Sequence, residues 1–163
     1  YNNKLVKFVY VDETRPLMQG SRLTAFELKK NEIPFAINVD SAAAFLMQQK
    51  KIDLAIVGAD RIAKNGDTAN KIGSYNLAVN CRYHNIPFFV AAPVSTIDFN
   101  CSSGKDIPIE ERSKFEISRI CNIKFTKSTY PIYNPAFDII PAELISGIIT
   151  DNGIFTYPFD LNV

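Results

Sequence analysis

The sequence has few cysteines, no excess of either charge and no long apolar run, and each shortage removes a class of protein. Three cysteines, Cys81, Cys101 and Cys121, are spaced twenty residues apart. That spacing does not fit the close pairs of a zinc site, and an odd count does not fit a disulfide framework. Buried or inert thiols in a reducing compartment are expected. Eighteen Lys and Arg stand against seventeen Asp and Glu, a formal charge of +1. Without a broad basic field there is little counterion release to draw in nucleic acid, which is therefore not expected as a partner. No apolar run approaches the roughly 20 residues that span a bilayer, and the start shows neither a signal-peptide core nor an Arg-rich transit pattern. No membrane is expected, and the chain reads as soluble and cytoplasmic. No Gly-x-Gly-x-x-Gly follows the first strand-like run and no Walker loop occurs, which argues against dinucleotide or ATP binding. Internal repeats and low-complexity tracts are missing too. The single histidine, His84, stands at a helix end before Asn85-Ile86-Pro87, where it is expected to face solvent.

What is present suits one compact domain: 163 residues, 47% hydrophobic and 21% charged. The chain starts at Tyr1 and enters a strand almost at once, which reads as a fragment of something longer. Residues 5 to 11 are an apolar run rich in Val and aromatics, predicting a strand buried on both faces. Apolar residues at helical spacing predict a helix over 17 to 31, with Pro16 in its first turn and Pro34 closing it. A strand over 35 to 39, a helix over 41 to 49 capped by Asp40 or Ser41, and a strand over 54 to 57 follow. After a polar stretch come a helix over 74 to 84 and a strand over 88 to 92. Beyond Asn100 the pattern loosens into loops over 104 to 112 and 133 to 138 around a weak strand over 119 to 125, and Pro141 reads as a helix start with Gly153 beyond its end. This alternation predicts an α/β, Rossmann-like parallel sheet with helices on both faces. Ligands of such sheets collect outside the carboxyl ends of the strands, which singles out residues 12 to 19, Asp40, 58 to 73 and 93 to 98.

Three of these segments carry chemistry. In Gly58-Ala59-Asp60-Arg61-Ile62 a small residue lets the backbone approach a ligand, and Asp60 projects from a rigid strand end as a candidate acid or base. Apolar neighbours would raise its pKa and Arg61 would lower it; the alternative is that Asp60 caps a turn and pairs with Arg61. In the run from Asn65-Gly66 to Ser74, a turn and polar loop lead into a helix start, where backbone amides and Lys71 favour an anion such as phosphate. The alternative is a capped loop with a solvated lysine. In Asp12-Glu13-Thr14-Arg15-Pro16, followed by Gln19-Gly20, Arg15 can grip phosphate or carboxylate and Gln19 can meet sugar hydroxyls. The alternative there is a clamp between Arg15 and Asp12 or Glu13.

Glu13-Thr14-Arg15-Pro16 with Gln19-Gly20, then Gly58-Ala59-Asp60-Arg61, then Asn70-Lys71-Ile72-Gly73, resemble the methylthioribose-1-phosphate isomerase family in order and spacing. The resemblance continues through Tyr83-His84-Asn85-Ile86-Pro87, Ala91-Ala92-Pro93, Ser95-Thr96-Ile97-Asp98, Ile107-Pro108-Ile109-Glu110-Glu111-Arg112, Asn134-Pro135-Ala136-Phe137-Asp138 and Pro141-Ala142-Glu143-Leu144-Ile145, covering nearly the whole chain. It implies conversion of 5-methylthioribose 1-phosphate to the ribulose 1-phosphate, a step of methionine salvage, without metal or redox cofactor. It makes Asp60 the proton donor and places Gln19, Asn70 and Lys71 on the sugar and phosphate, with Arg15 and Arg61 as possible support. It implies that residues 1 to 163 are the C-terminal domain of a homodimeric enzyme. The family's N-terminal domain supplies further phosphate-binding arginines, and its other catalytic residue is a cysteine in a Thr-x-Cys-Asn setting upstream of this region; Cys121-Asn122 follows Arg119-Ile120 and does not stand in for it. On this reading the chain alone should be inactive. Ribose-1,5-bisphosphate isomerase and a non-catalytic regulatory subunit of the translation-initiation guanine-exchange factor share the fold and are the alternatives.

Overall fold

The structure, a computed structural model, describes residues 5–120, 123–124, 126–127 and 129–161. Its first unit is a parallel pair, β1 (Val9–Asp12) and β2 (Phe35–Asn38), with Val9 opposite Phe35 and Asp12 opposite Asn38. The connection is helical, as the spacing predicts. It begins later, with a π-helical turn at Gly20–Thr24 that runs into α1 (Ala25–Lys30), so Pro16 precedes the helix instead of opening it. β1 is also shorter than the apolar run, and that run is not buried on both faces: Leu5 is 83% exposed and Phe8 45%.

Beyond β2, a 3-10 turn at Asp40–Ala42 feeds α2 (Ala43–Gln48). Neither Asp40 nor Ser41 caps it; the residue before the turn is Val39, and the Asp40 carboxylate reaches elsewhere. β3 (Ala55–Val57) then enters the principal sheet. Here the expectation of a polar loop fails, because the chain makes a hairpin, β4 (Arg61–Ala63) and β5 (Thr68–Lys71), that belongs to a second sheet. Asn65-Gly66 forms its turn: Gly66 adopts φ 91°, its amide donates to the Ala63 carbonyl, and the Asp67 amide donates to Asn65 Oδ1.

α3 (Ser74–His84) follows Gly73 and ends at Asn85, whose φ of 56° is the left-handed stop that precedes Pro87. β6 (Phe88–Ala91) runs parallel to β3, and β7 (Ile97–Asp98) runs parallel to β4. After α4 (Phe115–Ser118), the weak strand is a hairpin of β8 (Arg119–Ile120) and β9 (Ile123–Lys124), while Cys121, Asn122 and Phe125 lie outside the described residues. β10 (Phe137–Ile140) takes the end of the expected loop and pairs antiparallel with β5. The helix expected from Pro141 is a single 3-10 turn, Ala142–Leu144, succeeded by β11 (Gly147–Thr150) and β12 (Gly153–Thr156). Ile148 and Ile149 are β-branched residues that fit a strand, and Gly153 at φ 136° makes a hairpin turn where a helix stop was expected.

The principal sheet therefore runs β3-β6-β11-β12, parallel through β11, and the second runs β7-β4-β5-β10. The α/β class holds, with an added antiparallel-rich sheet. One core joins the two: Phe88 and Val90 of β6 and Ile148 of β11 pack with Ile62, Ile97 and Ile140 of the second sheet and with Ala78 and Cys81 of α3. Removing the side chain of Ile62, which is fully buried, would cost roughly 2–5 kcal/mol. Among the described residues, no helix is long and apolar enough to cross a membrane.

Candidate functional site

Asp60 stands between β3 and β4, and its amide donates to the Ala69 carbonyl at 2.8 Å. That bond continues the register in which Arg61 faces Ala69, so Asp60 falls beside Asn70, with Lys71 next along β5. Burial raises the Asp60 carboxyl above its ordinary value, and the Lys71 ammonium opposes the rise. By area the residue is exposed, so solvent can reach it. Arg61 does not pair with Asp60: its guanidinium turns to Asp98 at 3.6 Å, which leaves the acid without that counter-charge. Both residues line an open cleft of about 450 Å³ whose other wall is Ser95 to Asn100. Two of the segments picked out by the carboxyl-end rule, those following β3 and β6, thus meet in one cleft.

Asn70 and Lys71 do not line that cleft, but each is fixed close to Asp60. Asn70 Nδ2 donates to Ser74 Oγ at 2.8 Å, and Ser74 Oγ donates to the Lys71 carbonyl at 2.7 Å. Asn70 Oδ1 lies 4.0 Å from where a Cβ on Gly58 would stand, so the small residue brings this side chain against the chain leaving β3. Lys71 Nζ donates to the Ala136 carbonyl at 3.3 Å and lies 4.8 Å from the centre of the Phe137 ring. Among the described residues this hydrogen bond uses one N–H of three, and an ammonium can offer the others to an anion.

The anion expected at the start of α3 is already present in the protein. The Asp138 carboxylate accepts the amides of Gly73 at 2.7 Å and Tyr75 at 3.0 Å, filling the helix N-terminus that sequence reading left open for phosphate. Burial raises the Asp138 pKa and these backbone bonds hold it down in part. Asp138 lies opposite Asn70 in the β10-β5 ladder, a juxtaposition that sequence separation hides.

Arg15 and Gln19 belong to the end of β1 and not to the Asp60 cleft. Arg15 forms no clamp with Asp12 or Glu13; Nη2 donates to the Ile117 carbonyl at 3.3 Å. Its second terminal nitrogen, Nη1, is buried with no partner among the described residues, and so are Gln19 Oε1 and Asn38 Oδ1. Unpaired buried polar atoms are costly, and a donor and an acceptor held this way on neighbouring turns are suited to a polar ligand. Among the described residues no three His, Cys, Asp or Glu gather as a metal-holding group. Cys81 is buried, and burial followed by the nearby Asp12 charge pushes its thiol up to about 11, so it stays protonated and unreactive.

The sequence profile of the Initiation factor 2 subunit family matches residues 1–157. The chain belongs to this family. Within it, the chain is 57% identical over 155 residues to a methylthioribose-1-phosphate isomerase of Desulfitobacterium hafniense, covering 95% of the chain and 45% of that protein. The same identity and the same coverage on both sides hold for methylthioribose-1-phosphate isomerase 2 of Pseudothermotoga lettingae. Among solved structures, the 5-methylthioribose 1-phosphate isomerase of Pyrococcus horikoshii OT3 superposes with a TM-score of 0.91 at 52% identity, over 94% of this chain and 43% of that one. The translation initiation factor eIF-2B, subunit delta, from A. fulgidus superposes with a TM-score of 0.88 at 42% identity, over 92% of this chain and 44% of that one. The chain spans less than half the length of each of these four relatives.

Proposed function

We propose that the chain supplies the acid side of an aldose-ketose isomerase acting on 5-methylthioribose 1-phosphate and yielding 5-methylthioribulose 1-phosphate in methionine salvage. The observation that carries this reading is the Asp60 carboxyl, raised by burial and set beside Asn70 and Lys71 in a chain 57% identical to proteins named for that reaction. The chemistry calls for such a group. Phosphate blocks the anomeric carbon, so the ring opens only if its oxygen is protonated as the bond to C1 breaks. The Asp60 carboxyl, whose pKa burial raises, is the proton donor there. Hydrogen then passes from C2 to C1 while the C2 hydroxyl gives up its proton to the carboxylate left on Asp60 or to water, which balances the proton taken by the ring oxygen and leaves a carbonyl at C2 with the phosphate on C1. Lys71 and Asn70, with Gln19 and Arg15 at the end of β1, hold the sugar phosphate; Arg61, drawn to Asp98, frames the cleft.

On this reading residues 1 to 163 are a C-terminal domain, and an N-terminal domain of the same protein brings the second catalytic group and further phosphate contacts. The active form is a cytoplasmic homodimer, which a monomeric mass by light scattering would exclude. The test of activity is turnover of methylthioribose 1-phosphate and of ribose 1,5-bisphosphate by the complete protein. Activity on the second substrate alone would move the assignment to the bisphosphate isomerase. The likeness to the A. fulgidus eIF-2B delta subunit favours one rival, a regulatory subunit of the exchange factor, and turnover of neither sugar phosphate would leave that reading standing.

A further inference from the structure

Asp40 opens the 3-10 turn after β2, where sequence pattern makes it a helix cap, yet its carboxylate points across to the neighbouring strand. Oδ1 accepts the Thr14 amide and Oδ2 accepts the Arg15 amide, each at 2.7 Å. Successive amides converging on one point form a concavity that holds an anion, and here Asp40 is that anion. Thr14 adopts φ 64°, a conformation a β-branched residue takes only when its surroundings impose it. Other contacts complete the bend. The Glu13 amide donates to the Asn38 carbonyl at 2.8 Å, the Met18 amide donates to the Thr14 carbonyl at 2.7 Å, and Gly20 packs against the Asp12 carbonyl so closely that a Cβ would overlap it. This bend carries Arg15 and Gln19, two of the three residues whose buried polar atoms are left unpaired among the described residues.

We propose that Asp40 is a positioning residue for the sugar-phosphate site: by accepting the Thr14 and Arg15 amides it fixes the bend that presents Arg15 and Gln19 to substrate. The proposal rests on the isomerase reading for its substrate, and on the hydrogen bonds alone for its anchor. Each Asp40 oxygen bonds to a backbone amide, and the role assigned to Asp40 is through the bend instead of by contact with substrate. If the bend loosens, substrate must order it on binding. That cost falls on the ground state and the transition state alike, so it appears in KM while kcat is little changed.

The test uses the complete protein, with steady-state kinetics on methylthioribose 1-phosphate and amide hydrogen exchange over residues 12 to 20. Asp40→Ala is expected to raise KM about tenfold with kcat within about threefold, and to speed exchange of the Thr14 and Arg15 amides. Asp40→Glu, which restores two acceptor oxygens on a longer stem, should recover part of the loss; it also carries the test if the alanine variant does not fold. A lowered melting temperature with unchanged KM, or a fall confined to kcat, would overturn the proposal. If the parent protein turns over no sugar phosphate, the isomerase reading fails by itself. Exchange then still judges the anchor: equal rates in parent and variant overturn it, and faster exchange in the variant supports it.

Discussion

Asp60 and Lys71 lie one step apart across the β4-β5 hairpin, close enough for the ammonium to hold down a carboxyl that burial is pushing up. A strand pair fixes this distance more firmly than a loop would, and the acid is therefore tuned by the fold. Asp60→Asn keeps the shape and removes the transferable proton. In the complete protein it should lower kcat by about 10²–10⁴-fold, the usual contribution of a positioned acid. Substrate affinity measured by calorimetry should stay within a few-fold of the parent value. Near-normal turnover would return Asp60 to a structural role at the strand end.

Lys71→Met tests the same pair through pH. A donor works while protonated, so activity is present below the Asp60 pKa and is lost as pH rises through it. Lys71 lowers that pKa; without it burial acts unopposed and the pKa climbs further. The alkaline limb of kcat/KM is expected to move to higher pH in the variant. Its height will drop as well, because a phosphate contact is lost, and only the position of the limb decides. A limb that stays in place belongs to another group.

Two glycines near the candidate site should respond in opposite ways. A Cβ on Gly58 would meet only Asn70 Oδ1, at 4.0 Å, so Gly58→Ala should leave the urea midpoint close to that of the parent. A Cβ on Gly20 would overlap the Asp12 carbonyl oxygen, a backbone atom that cannot swing aside. Gly20→Ala should therefore destabilise by about 1–3 kcal/mol or more, as overpacking does. If Gly58→Ala keeps its stability and still loses activity, Gly58 leaves room for the ligand.

How far these features were legible follows from what each depends on. α3 and β6 were readable because helical spacing, the Asn85 stop and the Phe88–Ala91 run are local properties of the chain. The second sheet was not, since β4, β5 and β10 are short and, outside the local β4-β5 hairpin, β5 pairs over a long separation, with Phe137 opposite Lys71. No periodicity develops in four residues. For the same reason Asn70 and Lys71 read as a loop before a helix when they are the end of a strand. Asp138 and Asp40 were placed beside helices, and in each case the carboxylate serves amides more than 20 residues away in sequence. Asp60 could be singled out because its position at a strand end is itself a local signal, whereas the turn of Arg61 toward Asp98 required β7 to lie alongside β4.

Asp12 offers a measure of the strain held at the end of β1. Burial raises its carboxyl from 3.8 to about 6; the Asn38 Nδ2 bond pulls the other way, and the Asp40 charge adds to the rise. Because the folded value lies above the unfolded one, the native state binds the extra proton between these limits, and stability falls as pH rises from 3.8 to about 6. Below this window Asp12 is protonated in both states and carries no penalty; above it the native state carries the whole cost of a buried charge. Asp12→Asn retains the acceptor oxygen for Asn38 and removes the charge. Its urea midpoint should match that of the parent at the acid end of the window and exceed it at neutral pH, with the gap opening across the window. A gap that does not change with pH would mean that Asp12 titrates alike in the folded and unfolded states, so that the end of β1 holds it ionised without cost.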